Sequence, residues 1–458
     1  MKIEAFVLAE ICIRFKYLLT CIIKMGNNDI LIIGAGAAGL MAAHELSKSG
    51  NNVTILEARN RTGGRIHTLD TASFFKYAEL GAEFVHGDLP VTLKLLKEAG
   101  IKMNPASGEM WHYHDGKFSQ EEQQIEHWNL LMQKLNKLDG DISIGDFLEG
   151  QFADNKYKAL RDSVSKYVAG YDTADPFKAS AYALRKEWQS EDEDAQHRVV
   201  GGYCKMISYL ANESKNNGAQ LFLSSIVKKI HWEHGHVEVI TTDNVSYKAD
   251  KVIIALPLGV LQADHSEKAA VTFSPSIPQY QEAIQQMGFG SIIKVLLEFK
   301  DAFWKDKETT QLAGRSLKEM IFLLSDEEIP TWWTQVPDHT KVLTGWLGGP
   351  NAEKKRGLSN EALLRESLQS LSNIFKRSVD ELKDNLAAWN ISNWTADPFT
   401  CGSYAYDTVA APGARKILDT PVNNTIYFAG EYLYDGPAMG TVEAALTSGL
   451  EVAKRVIG

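Results

Sequence analysis

The regular patterning begins at 29–33, Asp-Ile-Leu-Ile-Ile, an apolar run that ends in glycine and predicts a strand buried on both faces. Residues 34–39, Gly-Ala-Gly-Ala-Ala-Gly, lead into a helical pattern that Gly50 stops. Positions 52–56 predict a second strand ending at Glu57, which completes one βαβ unit of about thirty residues. From 90 to about 192 the pattern turns helical and more polar, with scattered aromatics. Between 198 and 261 the α/β character returns. Gly201 and Gly202 open a helix to about 215, short strands follow at 220–223, 227–232, 237–241 and 246–247, and a buried strand at 251–255 is closed by Pro257. Strand-like runs recur at 291–299, 320–324 and 341–347, and 359–375 reads as a helix. The chain finishes with a strand at 425–429 and a helix at 441–457 that places Val442, Ala445, Leu446, Leu450, Ala453 and Ile457 on one face.

This alternation predicts an α/β fold of two interleaved domains. A Rossmann-like, nucleotide-binding domain is built from the discontinuous segments 25–89, 195–280 and 394–458. The segments 90–194 and 281–393 build a second, mixed α+β domain for the substrate. Residues 1–24 form an extension. Its apolar stretch, 5–23, is broken by Glu10, Arg14 and Lys16, so it fits neither a membrane span nor a signal sequence. Two readings stay open for it: a short amphipathic helix with Glu10 and Arg14 paired at i, i+4, or residues read from an upstream start codon, with the natural start at Met25.

Composition narrows the function classes. The 458 residues are 44% hydrophobic and 23% charged, which excludes a mainly disordered chain. The formal charge of 48 − 58 = −10, with no polybasic run, argues against nucleic acid as a partner. The four cysteines, Cys12, Cys21, Cys204 and Cys401, form no disulfide framework and no zinc motif. A reducing, cytoplasmic setting is expected, with no metal and no membrane partner.

The chemistry starts at the glycines. Gly34 permits a tight turn, Gly36 leaves room for a pyrophosphate, and Gly39 lets helix and strand pack closely, with Ala35 and Ala38 between them. The helix start offers N–H groups to phosphate oxygens. Glu57 lies at the end of the second strand, placed to bond a ribose hydroxyl. Ala58, Arg59, Gly64 and Arg65 continue at once as an arginine-glycine loop able to wrap a diphosphate, which favours FAD over a nicotinamide cofactor.

Together these residues, with 79–82 (Glu-Leu-Gly-Ala), 252–261, 289–294, 394–398, 402–404, 427–431 (Tyr-Phe-Ala-Gly-Glu) and 440–443, resemble the flavin-containing amine oxidases over about 28–457. The resemblance implies non-covalent FAD that takes a hydride from the carbon beside an amine nitrogen. The imine then hydrolyses, and O2 reoxidises the flavin to give hydrogen peroxide. It assigns Lys294 to a site beside the flavin, Tyr404 to a place beside the substrate amine, and His86 to a substrate nitrogen. From the residues alone, Lys294 also reads as a lysine reaching solvent from a strand edge. Tyr404 likewise reads as a core tyrosine, and His86 as a structural histidine.

Among cofactor contacts the resemblance points to Gly81, Ala82, Glu83, Phe84, Val227, Trp394, Gly430, Glu431, Gly440, Thr441 and Val442. Thr441 stands where monoamine oxidases carry a second tyrosine. Ser403 stands where they carry the flavin-linked cysteine. Phe84 stands where amino-acid oxidases carry an arginine, which argues for a polyamine or monoamine, with Glu83 and Glu79 as candidate partners of a second ammonium. The alternatives are an L-amino-acid oxidase or other flavin desaturase, and a flavin-binding protein with little turnover.

Overall fold

The computed structural model describes residues 22–23, 29–69, 73–87, 89–120, 125–190, 196–264, 266–436 and 438–458. The two readings of 1–24 fall outside the described residues, except that Ile22–Ile23 pairs as a strand with Ser246–Ala249.

Asp29–Ile33 is buried throughout and lies mid-sheet. The sheet is parallel and five-stranded, in the order Gln220–Phe222, Asn52–Leu56, Asp29–Ile33, Lys251–Ile254, Ile426–Phe428. Alternate side chains serve two cores, as the pleat requires. Ile30 and Ile32 pack with the helices Ala37–Lys48, Cys204–Asn216 and Val442–Ile457. Leu31 and Ile33 pack with the antiparallel strands Val227–Glu233, His236–Thr241 and Ser246–Ala249. Three stretches far apart in sequence therefore build one Rossmann-like unit.

A mixed seven-stranded sheet forms the second unit, in the order Leu386–Asn393, Ile292–Phe299, Val342–Gly348, Thr331–Thr334, Met320–Ser325, Glu109–His114, Lys117–Ser119. Ile293, Val295, Leu297 and Phe299 face a core closed by the helix Asn360–Phe375. Ile292 and Leu296 face the opposite way, toward Leu80 and Trp394. The helices Trp128–Leu135, Ile144–Gln151, Lys158–Gly170 and Ala181–Ser190 form a separate apolar cluster. Among the described residues no helix is long and apolar enough to cross a membrane.

Two expectations need correction. The stretch 90–192 is not only helical: Glu109–His114 and Lys117–Ser119 form a hairpin that extends the seven-stranded sheet. The last helix packs the expected face except at its end: Leu446 and Ala453 are buried and Val442, Ala445 and Leu450 pack against the same core, whereas Ile457 is 52% exposed. The buried face also takes in Gly449, Val452 and Val456, and a Cβ on Gly449 would lie 2.3 Å from the Ala38 carbonyl oxygen.

The same helix carries Glu443, whose buried carboxylate accepts from the Val91 and Thr92 backbone N–H groups at 2.9 and 2.7 Å and from the Thr92 hydroxyl at 2.7 Å. It caps the helix Pro90–Glu98, whose own N-cap, Leu89, has no side-chain acceptor. Glu443→Ala should cost about 2–3 kcal/mol in denaturant unfolding, because buried donors lose a charged acceptor. A loss under about 0.5 kcal/mol, the range of an ordinary surface change, would show that this cap is dispensable.

Candidate active site

One cavity of about 2090 Å³ runs from the glycine turn to the seven-stranded sheet. That exceeds the several hundred Å³ of an ordinary small-ligand pocket and leaves room for a dinucleotide and a substrate together. Every candidate residue borders it except Ala35 and Gly39, which sit behind the turn, and Glu79.

The turn is built as its glycines require. Gly34 has φ +106°, and its N–H donates to the Leu56 carbonyl at 2.8 Å. A Cβ on Gly39 would lie 2.0 Å from the Gly34 carbonyl oxygen, whereas one on Gly36 would meet nothing within 4 Å. The space over Gly36 is therefore bounded by no protein atom, at the start of the helix Ala37–Lys48, which fits a diphosphate. Glu57 is buried, and its carboxylate accepts from the Ala35 and Arg59 backbone N–H groups at 2.7 and 2.9 Å. It fastens the turn from the cavity side. Ala58 and Val227 continue that wall.

The arginines differ from a free diphosphate clamp. Arg59 makes a two-pronged pair with Asp397, at 3.0 and 2.5 Å, between the Trp394 and Phe399 rings. Arg65 donates to Glu431 at 2.8 Å and to the Ser403 carbonyl at 2.7 Å. Each guanidinium already has its counter-ion, so only the remaining N–H groups are open to a ligand. Glu431 also accepts from the Ala405 N–H at 3.2 Å, which joins Arg65 to the strand after Tyr404. Arg61 braces the loop through the carbonyls of Thr62, Gly64 and Ile66, and burial lowers its pKa to about 10.

At the other end stands Lys294, 1% exposed, on the strand Ile292–Phe299. It is not a lysine reaching solvent. Its Nζ donates to Glu83 Oε2 at 2.6 Å and to the Gly81 carbonyl at 3.0 Å, and lies 5.3 Å from the centre of the Trp333 ring. Glu83 Oε1 in turn accepts from Arg198 and from Trp333 Nε1 at 3.0 Å. Burial alone would raise the Glu83 pKa, but Lys294 and Arg198 outweigh it and hold the carboxyl at about 2. The Glu83 side chain is thus turned to these three donors and is unavailable to a second substrate ammonium. Glu79 does not border the cavity. It bonds Thr68 and the Tyr203 N–H, and burial raises it to about 7.

Tyr404 donates its hydroxyl to the Tyr171 carbonyl. Burial, with Asp172 and Glu187 nearby, keeps it protonated far above the ordinary tyrosine range. Its ring packs on Gly440, where a Cβ would sit 2.9 Å from Cδ2. Thr441 is the N-cap of the helix Val442–Ile457: it accepts from the Ala444 N–H at 3.3 Å and donates to the Ala438 carbonyl at 2.6 Å. Gly430 donates its N–H to Ser448 at 3.0 Å. Trp394 donates to the Leu80 carbonyl at 2.7 Å and so pins the 80–84 segment, while Gly81 passes so close to Arg65 that a Cβ would clash at 1.7 Å. His86 opens onto the cavity beside Phe84, and desolvation by the surrounding walls lowers its imidazole. Ala82, Phe84 and Val442 complete the lining.

Sequence reasoning missed Arg198, Trp333 and Asp397 as parts of this site. Asp397 lay inside a segment already singled out, 394–398, and a carboxylate there was a signal for Arg59. The other two act only through contacts across the fold.

A turn shaped for a dinucleotide, joined by one cavity to a buried lysine and a protonated tyrosine, defines a nucleotide-cofactor oxidoreductase. The chain belongs to the flavin containing amine oxidoreductase family, whose model matches residues 37–457. It is therefore a flavin oxidoreductase that acts on C–N bonds, with FAD as its cofactor. Polyamine oxidase 2 of Arabidopsis thaliana is 27% identical, over 94% of this chain and 88% of the relative. Lysine-specific histone demethylase 1 homolog 2 of Oryza sativa subsp. japonica is 28% identical, over 94% of this chain but 57% of the relative. Among solved structures, putrescine oxidase bound to putrescine superposes with a TM-score of 0.76 at 23% identity, over 94% of this chain and 99% of the other. Cyclohexylamine oxidase from Brevibacterium oxydans gives 0.75 at 20% identity, with the same coverages.

The glycine geometry separates two variants. Gly36→Ala should leave folding of the flavin-free protein within about 0.5 kcal/mol of wild type, yet weaken FAD binding at least ~10-fold, about 1.4 kcal/mol. Gly39→Ala should cost ~1–3 kcal/mol of stability, since backbone must move. Flavin fluorescence titration and chemical denaturation read the two effects, and wild-type affinity in Gly36→Ala would refute the cradle.

Proposed function

We propose that the protein oxidises a small amine that lacks an α-carboxylate, a polyamine or monoamine, with non-covalent FAD and O2, and releases hydrogen peroxide. The observation that carries the substrate class is the charge in the cavity wall. Asp172 and Glu187 border the cavity and lie close enough to Tyr404 to disfavour its ionisation. Their negative potential favours a cationic guest over an anionic one.

Bound FAD supplies the two-electron acceptor, which O2 regenerates. The protein supplies the surroundings. Tyr404, held by the Tyr171 carbonyl and Gly440, presents a fixed ring face to the amine. Phe84, Phe322 and Trp333, with ring centres 5.7 to 6.1 Å apart, form an apolar wall that excludes water from the reacting carbon. His86, whose pKa desolvation lowers, can accept a hydrogen bond from a substrate nitrogen on its unprotonated ring nitrogen. Lys294 offers an N–H from the buried side.

Two further features support details of this reading. Cys401 bonds the Pro398 carbonyl at 3.7 Å and does not border the cavity, while Ser403 is engaged with Thr173. That favours flavin held without a covalent link. Arg198, the arginine stacked over Phe84 at 4.4 Å, is committed to Glu83 and is absent from the lining, which disfavours an α-amino acid.

A peroxide-coupled assay across spermine, spermidine, N-acetylated polyamines, aromatic monoamines, a methylated-lysine peptide and L-amino acids tests the reading. Amines should outperform L-amino acids in kcat/KM by at least ~10-fold, about 1.4 kcal/mol. Fast turnover of an L-amino acid with every amine inert would overturn it, and turnover of the peptide alone would move the protein to the demethylase branch.

A further inference from the structure

Lys294, Glu83 and Arg198 form a buried charge cluster of two cations and one anion. The ammonium has three N–H donors. Two are taken, by Glu83 Oε2 at 2.6 Å and the Gly81 carbonyl at 3.0 Å. The third has no acceptor among the described residues, and Lys294 borders the same cavity as Gly36 and Gly64. Glu83 is itself held on its other oxygen, by Arg198 and by Trp333 Nε1. Arg198 is anchored by the carbonyls of Thr334 and Val336, both at 2.9 Å, and its guanidinium lies over Phe84. Neither the lysine nor the carboxylate can turn away without stranding a buried charge.

We infer that Glu83 is a positioning residue for the oxidation: its buried ion pair fixes the Lys294 ammonium in place and aims one N–H into the cavity. The inference rests on the proposed amine-oxidase reading of that cavity. The other groups around the lysine do not replace Glu83. The flanking strands set Trp346 and Ser392 opposite it, neither of them charged. Glu79 interacts from farther off and is tied to Thr68 and the Tyr203 N–H. His86, whose pKa desolvation lowers, is never an anion and supplies no counter-charge. Arg198 is a like charge that, without Glu83, would push the lysine toward its neutral form. A fixed positive charge in the cofactor cavity favours negative charge on a reduced ring, and so raises the potential of bound flavin.

The test is the midpoint potential of the bound flavin in the holoenzyme, measured against pH without any amine. Wild type and Glu83→Asp should share one curve from about pH 6 to about pH 9, below the ordinary lysine value of about 10.4, with the same inflection near pH 7 where Glu79 titrates. Glu83→Gln should add a break in that window, where the unpaired lysine loses its proton. The break should vanish in Glu83→Gln/Lys294→Met. With the amine the peroxide assay finds best, kcat of Glu83→Gln should fall at least ~10-fold above the break while KM stays within ~3-fold. A Glu83→Gln curve that tracks wild type would overturn the inference, as would a break that survives removal of Lys294. If Glu83→Gln does not fold, wild type and Lys294→Met decide. Their potentials should differ by a constant offset across the window, and an offset that collapses toward high pH would refute a fixed ammonium. Because the potential is read without substrate, a wrong substrate class would leave this result standing.

Discussion

An ammonium on the buried face of a sheet must find its counter-ion inside the protein, and much of this structure follows from giving Lys294 one. Lysine is almost never fully buried without a partner. Lys294 sits on a strand paired on both edges, so no path to water runs along the sheet. The segment 80–84 crosses that face and delivers Gly81 and Glu83. It can pass there because residue 81 has no Cβ to strike the Arg65 carbonyl oxygen, 1.7 Å from where one would stand. Trp394 then pins it at Leu80. A single buried charge therefore ties the 80–84 segment, and the arginine-glycine loop packed against it, to the seven-stranded sheet.

What could be read from the sequence was what local chemistry dictates. The strand Asp29–Ile33, the turn at Gly34 and Gly39, and the lysine among apolar neighbours on Ile292–Phe299 all carry their reasons within a few residues. The α/β class and the interleaving followed from hydrophobic period alone. The misses share a different cause. Thr331–Thr334 is four residues long, and Leu386–Asn393 is only half-buried, so neither shows a clean period. On the last helix the pattern misplaced Ile457 and passed over Gly449, invisible to a hydrophobicity pattern, whose missing Cβ lets it approach the helix Ala37–Lys48. Arg198 and Trp333 acquire their roles only through Glu83, more than a hundred residues away from either in sequence. An ion pair of that separation leaves no periodic trace, whereas a glycine at positive φ announces itself.

The long-range pairs have a common location. Arg59 with Asp397, Arg65 with Glu431, and Lys294 and Arg198 with Glu83 each join segments that sequence patterning assigns to different pieces of the chain. Such pairs add little net stability, because desolvating two charges offsets most of their attraction. Breaking one is costly, on the order of 3–5 kcal/mol, since the remaining charge is stranded. That asymmetry makes them poor glue and good registers. Hydrophobic layers can slide by a fraction of a residue at small cost, but a carboxylate seated between an ammonium, a guanidinium and an indole N–H cannot. A catalytic cavity assembled where discontinuous pieces meet needs that second property, because its two ends, the glycine turn and the lysine, belong to different sheets.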